Sequence, residues 1–247
     1  MTSARRPARR PLAQFLGLVV FPSFCRLCGS LLENPEERVV CRRCLGRAVP
    51  RRGPSCFCCG RFFAEAGEGH LCGRCLAEPP PFTRHRSAGR YEGTVKDLIL
   101  LFKYGGFSPL ARDLAAFIDL ALSAETGFLE GVEAIVPVPL DRRRKRDRGF
   151  NQAYLIARHL GRLRGLAVLD RRLVKVRATA PQVSLEAAER ERNVRGVYDV
   201  RKPADILART VLLLDDVFTT GSTLRECSAV LMKAGAAEVR ALTVAQA

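Results

Sequence analysis

The chain has 247 residues, 47% of them hydrophobic, and carries 41 Lys and Arg against 25 Asp and Glu, a formal net charge of +16. No apolar run approaches membrane-spanning length, which argues for a soluble globular protein with room for one domain of common size and a smaller module. The basic excess favours polyanionic partners, whether nucleic acid or phosphorylated metabolites, and does not choose between them.

At the N-terminus, Arg5, Arg6, Arg9 and Arg10 precede a short apolar stretch ending at Phe21, superficially like a signal peptide. Pro22 and a cysteine pair stand where a small-residue cleavage site belongs, so a basic tail and short helix over residues 1–24 is expected, with a cytoplasmic location.

Nine of the ten cysteines fall between Cys25 and Cys75, and eight of them form a register. Cys25, Cys28, Cys41 and Cys44 are repeated as Cys56, Cys59, Cys72 and Cys75, each set a pair of CxxC knuckles. Four thiolates close a tetrahedral zinc site and leave no open position, so two structural Zn²⁺ ions are expected over residues 25–78. Either each repeat supplies its own four ligands or the repeats interleave; the spacing does not decide. Gly29 and Gly60 follow the first knuckle of each repeat, where a tight bend needs positive φ. Cys58 and His70 read as bystanders. Phe57, Phe62 and Phe63 near Arg61 could stack bases, though core packing is the ordinary task of such rings. A proline-rich linker is expected at 79–84, before a second domain at 85–247.

In that domain His85 to Tyr91 reads as a strand, with His85 solvated or packed. Helices follow through Val95, Leu98, Ile99 and Phe102, then through Leu110, Leu114, Phe117 and Ile118. Ala134 to Pro139 reads as a buried strand. The basic run from Asp141 to Gly149 reads as a solvated loop at the strand's carboxyl end, where a phosphate could be received. A helix from Asn151 to Arg164 turns Ile156, Leu160 and Leu163 inward. The polar stretch Lys175 to Asn193 reads as a flap or an exposed excursion, and Glu238 to Val244 as a last strand.

The most informative stretch runs from Val211 to Thr223. An apolar strand, Val211 to Leu214, ends at Asp215 and Asp216, and a helix with Leu224, Cys227, Val230 and Leu231 on one face follows at once. The turn between them, Thr219, Thr220, Gly221, Ser222 and Thr223, presents backbone N–H groups and hydroxyls at a helix N-terminus, which suits a phosphate monoester. Two carboxylates one turn away accept hydrogen bonds from vicinal hydroxyls or hold Mg²⁺. Phosphate and diol together describe a ribose 5-phosphate.

These residues resemble the 5-phosphoribosyl 1-pyrophosphate (PRPP) signature of type I phosphoribosyltransferases. Phe102-Lys103-Tyr104, Val136 to Leu140 with the basic run, Arg148 to Gln152, Thr179 with Gln182 and Leu185, Arg190 with Asn193 and Val194, and the Asp215–Thr223 signature together resemble the ComF family, including ComFC of competence systems and its GntX-like relatives. The likeness extends from Cys25 onward, apart from Gly105-Gly106, where an arginine often follows the tyrosine. It implies an α/β fold, a type I phosphoribosyltransferase-like parallel sheet flanked by helices and preceded by a small double zinc ribbon. It further implies ribose contacts from Asp215 and Asp216, phosphate contacts from Thr219 to Thr223, and pyrophosphate near Val138 to Arg143. Lys103, Arg143, Arg148, Thr179, Gln182 and Arg190 are the further candidate pyrophosphate or hood contacts, with Mg²⁺ accompanying PRPP.

Three functions are compatible with that site. The first is a PRPP-binding competence factor that handles incoming single-stranded DNA beside a helicase. The second is a phosphoribosyltransferase acting on an unidentified acceptor, with no catalytic residue nameable. The third is a PRPP-sensing regulator, disfavoured by the lack of a helix-turn-helix pattern.

Overall fold

The computed structural model describes residues 22–34, 36–63, 67–177 and 196–247. The chain divides into two compact units, Met1–Arg47 and Ala48–Ala247. The division falls between the two zinc ribbons, so the proline-rich stretch at 79–84 lies inside the second unit. Most of the basic tail expected over 1–24 lies outside the described residues.

Each ribbon builds its first knuckle in the same way. The Cys25 N–H donates to Ser30 O at 2.8 Å and Gly29 N–H to Cys25 O at 2.9 Å; the Cys56 N–H donates to Arg61 O and Gly60 N–H to Cys56 O, both at 2.9 Å. Gly29 and Gly60 adopt φ of 72° and 64°, as the bend requires. The second knuckle of each repeat enters a short helix, α1 (Arg42–Leu45) in the first and α2 (Gly73–Ala77) in the second.

After the second ribbon come β1 (Arg84–Arg90), α3 (Gly93–Tyr104), α4 (Leu110–Leu122), β2 (Ala134–Pro137), α5 (Arg142–Arg148), α6 (Gln152–Arg164), β3 (Ala167–Val168), β4 (Leu173–Lys175), β5 (Tyr198–Val200), β6 (Thr210–Phe218), α7 (Ser222–Lys233) and β7 (Glu238–Gln246). Five strands form a parallel sheet in the order β1-β7-β6-β2-β3. β4 and β5 pair antiparallel in a separate two-stranded sheet.

Burial on both faces explains why β2 and β6 read as unbroken apolar runs. Val211 to Leu214 are all fully buried, as are Ala134 to Val136. Alternation along β6 sends Val211 and Leu213 into one core with Leu224, Cys227 and Leu231 of α7 and the cysteines of the second ribbon. The helices α3, α4 and α6 pack on one another and against the sheet with a separate set of buried side chains, among them Ile99, Phe102, Leu114, Ile118, Ile156 and Leu160.

From β2 the chain crosses through α6 to β3 on one side of the sheet order, and from β6 through α7 to β7 on the other. The carboxyl ends of β2 and β6 therefore flank a topological switch point, where open α/β sheets place their ligands.

Three expectations need correction. The basic run after β2 is the helix α5, not a loop: Asp141 caps its N-terminus by accepting the Arg143 N–H at 2.9 Å, and Gly149 closes it in the left-handed region. Leu163 does not turn inward, since it is 55% exposed on the outer side of α6. Finally, β6 does not end at the diacid but continues through it to Phe218, paired with β7 as far as Gln246.

Candidate functional site

One cleft of about 750 Å³ opens at the switch point, within the size range of small-molecule sites. Its first wall is the end of β6 and the start of α7. Asp215, Asp216, Thr219, Gly221, Ser222 and Thr223 line it. Thr220 belongs to the same turn without lining the cleft; its hydroxyl lies 3.0 Å from Ser222 Oγ.

The turn works because Gly221 adopts φ 79°, and because a Cβ there would come within 2.7 Å of the Phe218 ring. Only glycine lets the backbone reverse so close to that ring. α7 then begins at Ser222 with no acidic residue in its first turn, leaving the positive end of its dipole uncompensated toward the cleft.

The diacid is held from two directions. Asp215 Oδ1 accepts the Asp216 N–H at 2.8 Å, and Lys103 Nζ lies 2.8 Å from Asp216 Oδ1. Burial, and then the charge of Asp216, push the Asp215 carboxyl up to about 7, while Lys103 and the Asp216 N–H act in the opposite sense. Burial alone would lower the Lys103 ammonium; the charge and hydrogen bond of Asp216 outweigh it, so Lys103 is raised and stays cationic.

The second wall is the exit of β2 and the helices after it. Val138 to Asp141, Arg144, Asp147, Arg148, Asn151 and Gln152 line it. Asn151 Nδ2 donates to Val138 O at 3.0 Å, tying the start of α6 to the strand exit. The Arg148 guanidinium lies over the Tyr104 ring at 5.1 Å, and its Nη1 donates to Gln152 Oε1 at 3.3 Å.

The candidate residues are thus partly assembled. Lys103 and Arg148 line the cleft, whereas Arg143 is exposed and the neighbouring Arg144 lines it. Thr179, Gln182 and Arg190 lie outside the described residues. Lys175, which opens the polar stretch read as a flap, and Tyr198, which no motif marks, also line the cleft and are register partners in the β4–β5 pair. Lys175 Nζ sits 3.5 Å from Asp141 Oδ2, and burial lowers its ammonium. Arg144 was findable, because positions 144 and 148 share one face of a helix.

The cysteines resolve the question of pairing. Each repeat gathers its own four, and within each set the sulfur atoms all lie within 4.8 Å of one another. The Cys41 N–H points at Cys25 Sγ and the Cys72 N–H at Cys56 Sγ, both at 3.4 Å. Four converging sulfurs with backbone donors aimed at them fit a closed structural zinc site. Cys58 and His70 stand outside both sets: the Cys58 thiol points to Phe82 O, and His70 stacks on Phe63 with ring centroids 4.1 Å apart. Of the three aromatic residues, Phe57 remains 57% exposed, Phe62 lies under the guanidinium groups of Arg51 and Arg90, and Phe63 packs against the core. His85 takes the packed alternative. It is fully buried, with Nδ1 2.7 Å from Cys59 O and its ring stacked on Phe218 at 4.4 Å.

A double zinc ribbon joined to a phosphoribosyltransferase-type sheet is the class that this fold defines. The double zinc ribbon domain model matches residues 17–76 and the phosphoribosyl transferase domain model residues 146–247. The chain is 34% identical over 225 residues to the DNA utilization protein YhgH of Salmonella typhimurium, covering 90% of this chain and 96% of that protein. It is 34% identical over 200 residues to Competence protein F of Haemophilus influenzae, covering 78% and 85%, and 24% identical over 238 residues to Competence protein ComFC of Bacillus subtilis, covering 89% and 93%. The chain belongs to the ComF family.

Proposed function

We propose that the cleft binds PRPP together with Mg²⁺, and that this binding serves the handling of single-stranded DNA during uptake in natural competence. The observation that carries the first half is the convergence of Asp215 and Asp216 with the Thr219–Thr223 turn on one cleft. A ribose 5-phosphate spans those groups, its 5-phosphate at the α7 N-terminus and its hydroxyls at the diacid. The diacid also has the oxygen donors that Mg²⁺ prefers. Arg144 and Arg148 supply positive charge on the wall built after β2, where the pyrophosphate would lie.

Support for the second half is the names carried by the relatives, DNA utilization protein and competence protein, with the net charge of +16. A competence helicase acting beside the protein and a cytoplasmic location belong to the same proposal. Among the described residues no helix is long and apolar enough to cross a membrane.

The arginines on the second wall also favour phosphoribosyl transfer to an acceptor. Departure of pyrophosphate from C1 leaves positive charge on the ribose ring, and fixed cations beside the leaving group stabilise that step. When bound, Mg²⁺ neutralises the pyrophosphate further.

Calorimetric titration with PRPP, with and without Mg²⁺, compares the wild type with an Asp215→Asn/Asp216→Asn double variant. Mg²⁺-dependent binding that the variant loses is expected; no binding by the zinc-loaded wild type would overturn the PRPP reading. Single-stranded DNA binding is measured alongside at several salt concentrations. A steep loss of affinity with salt is expected from counterion release, and a flat dependence would overturn the DNA reading.

A further inference from the structure

The second ribbon touches the candidate phosphate turn by two independent routes. Arg74 sits on α2 between the ligand cysteines Cys72 and Cys75, and its Nη1 donates to Thr220 O at 2.9 Å. α7 returns the contact: Arg225 Nη2 donates to Glu78 O, directly after α2, at 3.0 Å.

The other route starts at the first knuckle. The His85 N–H donates to Cys58 O at 2.6 Å, and the ring Nδ1 lies 2.7 Å from Cys59 O. A carbonyl can only accept, so Nδ1 carries the proton, and Nε2 faces the Thr243 and Ser87 hydroxyls at 3.1 and 3.3 Å. The ring stacks on Phe218, and the Phe218 ring fills the space beside Gly221 that a Cβ would need. Ligand cysteine, imidazole, phenyl ring and cradle glycine are therefore in continuous contact.

The hydrogen bond from Arg74 has a directional consequence. In a trans peptide the C=O and N–H point opposite ways, so holding Thr220 O toward the ribbon turns the Gly221 N–H away from it. A phosphate site made of backbone amides gains affinity when those amides are fixed before the ligand arrives. Within the turn the Thr220 hydroxyl lies 3.0 Å from Ser222 Oγ and accepts the Ser222 N–H at 3.4 Å, and Arg74 adds a tie from outside it.

We propose that the second zinc ribbon is a working part of the phosphate site, with Arg74 as the positioning residue that holds the Thr219–Thr223 turn ready for a ribose 5-phosphate. This rests on the phosphate reading of the cleft and adds to it a structural role for one ribbon in ligand affinity.

The test uses the full zinc-loaded chain and three proteins: wild type, Arg74→Ala and Arg74→Lys, with zinc content measured for each. Hydrogen exchange is followed by mass spectrometry on a peptide covering Thr219–Leu224, and ribose 5-phosphate is titrated calorimetrically. With zinc retained, Arg74→Ala is expected to exchange faster in that peptide and to bind ribose 5-phosphate about tenfold more weakly, the scale of one charge-assisted hydrogen bond. Arg74→Lys, which keeps a cationic donor, is expected to recover part of both. Unchanged exchange and affinity in Arg74→Ala would overturn the proposal. Faster exchange in Arg74→Ala with no ribose 5-phosphate binding even by the wild type would support the coupling while removing the phosphate reading, so the two fail separately.

Discussion

The ammonium of Lys103 on α3 lies 2.8 Å from the Asp216 carboxylate on β6, across 113 residues of sequence, with the two side chains only 14% and 17% exposed. The pair ties the sheet's site strand to the helix that precedes the cleft. Removing one member of such a pair leaves the other charge desolvated and uncompensated. Lys103→Met, which keeps most of the apolar stem, is expected to lower stability by roughly 3 kcal/mol. It is also expected to raise the Asp215 carboxyl further, because Lys103 is one of the charges holding it down. Urea unfolding at constant m-value checks the first effect; an unchanged midpoint would mean that water replaces the ammonium.

Gly221 offers a sharper separation of binding from folding. An alanine there must adopt φ near 79° and push its Cβ into the Phe218 ring, 2.7 Å away. The backbone strain alone costs about 1–2 kcal/mol. Gly221→Ala is expected to keep the fold, judged by far-UV circular dichroism and zinc content, and to lose PRPP affinity more than about tenfold as the turn opens. Wild-type affinity in this variant would show that the ligand does not use the turn.

The β6–turn–α7 unit was legible because every signal in it is local: an apolar run, two carboxylates, a hydroxyl-rich turn and a helical stripe. The two cysteine sets were legible for the same reason, although only the fold shows that each repeat gathers its own ligands. What stayed hidden was non-local. Nothing near Lys103 names Asp216 as its partner, and Lys175 meets Tyr198 only through strand pairing. The sequence leaves His85 solvated or packed because its contacts, Cys59 and Thr243, lie 26 and 158 residues away. The basic run is a helix because of its ends rather than its charges. Asp141 before it and Gly149 after it are a helix cap and a helix stop, and with a helix in place Arg144 falls beside Arg148 on the cleft.

The ribbons are also expected to differ in what their metal supports. The cysteines of the second share a core with Phe82, Val136, Leu213 and Phe218, whereas the first belongs to the compact unit Met1–Arg47. Cys72→Ser is therefore expected to lower the melting temperature of the sheet-bearing unit by about 5 °C or more, the response of a domain this size to a loss of about 2 kcal/mol. Cys41→Ser is expected to leave that transition in place. Differential scanning calorimetry with zinc analysis decides it, and equal losses from the two substitutions would contradict the division.

Asp215 makes the site sensitive to pH. Its carboxyl is raised from 3.8 to about 7, chiefly by burial and then by Asp216, so the folded state keeps a proton that the unfolded state releases near pH 4. Stability from this group is complete below about pH 4 and falls as pH rises toward 7. On the proposed PRPP reading ligand binding runs the other way, because the ionised carboxylate is the better acceptor for ribose hydroxyls and the form that holds Mg²⁺. At pH 6 binding must therefore expel about one proton, and at pH 8 almost none. Titrations in two buffers of different ionisation enthalpy measure that number directly. Asp215→Asn is expected to flatten the stability profile and to be more stable than the wild type at pH 8, where the wild type holds a desolvated charge. Such a gain, at the expense of ligand binding, is what a carboxylate kept for binding rather than for folding should produce. No proton release at pH 6 would mean that Asp215 is already ionised in the free protein, and that Lys103 rather than burial sets its charge.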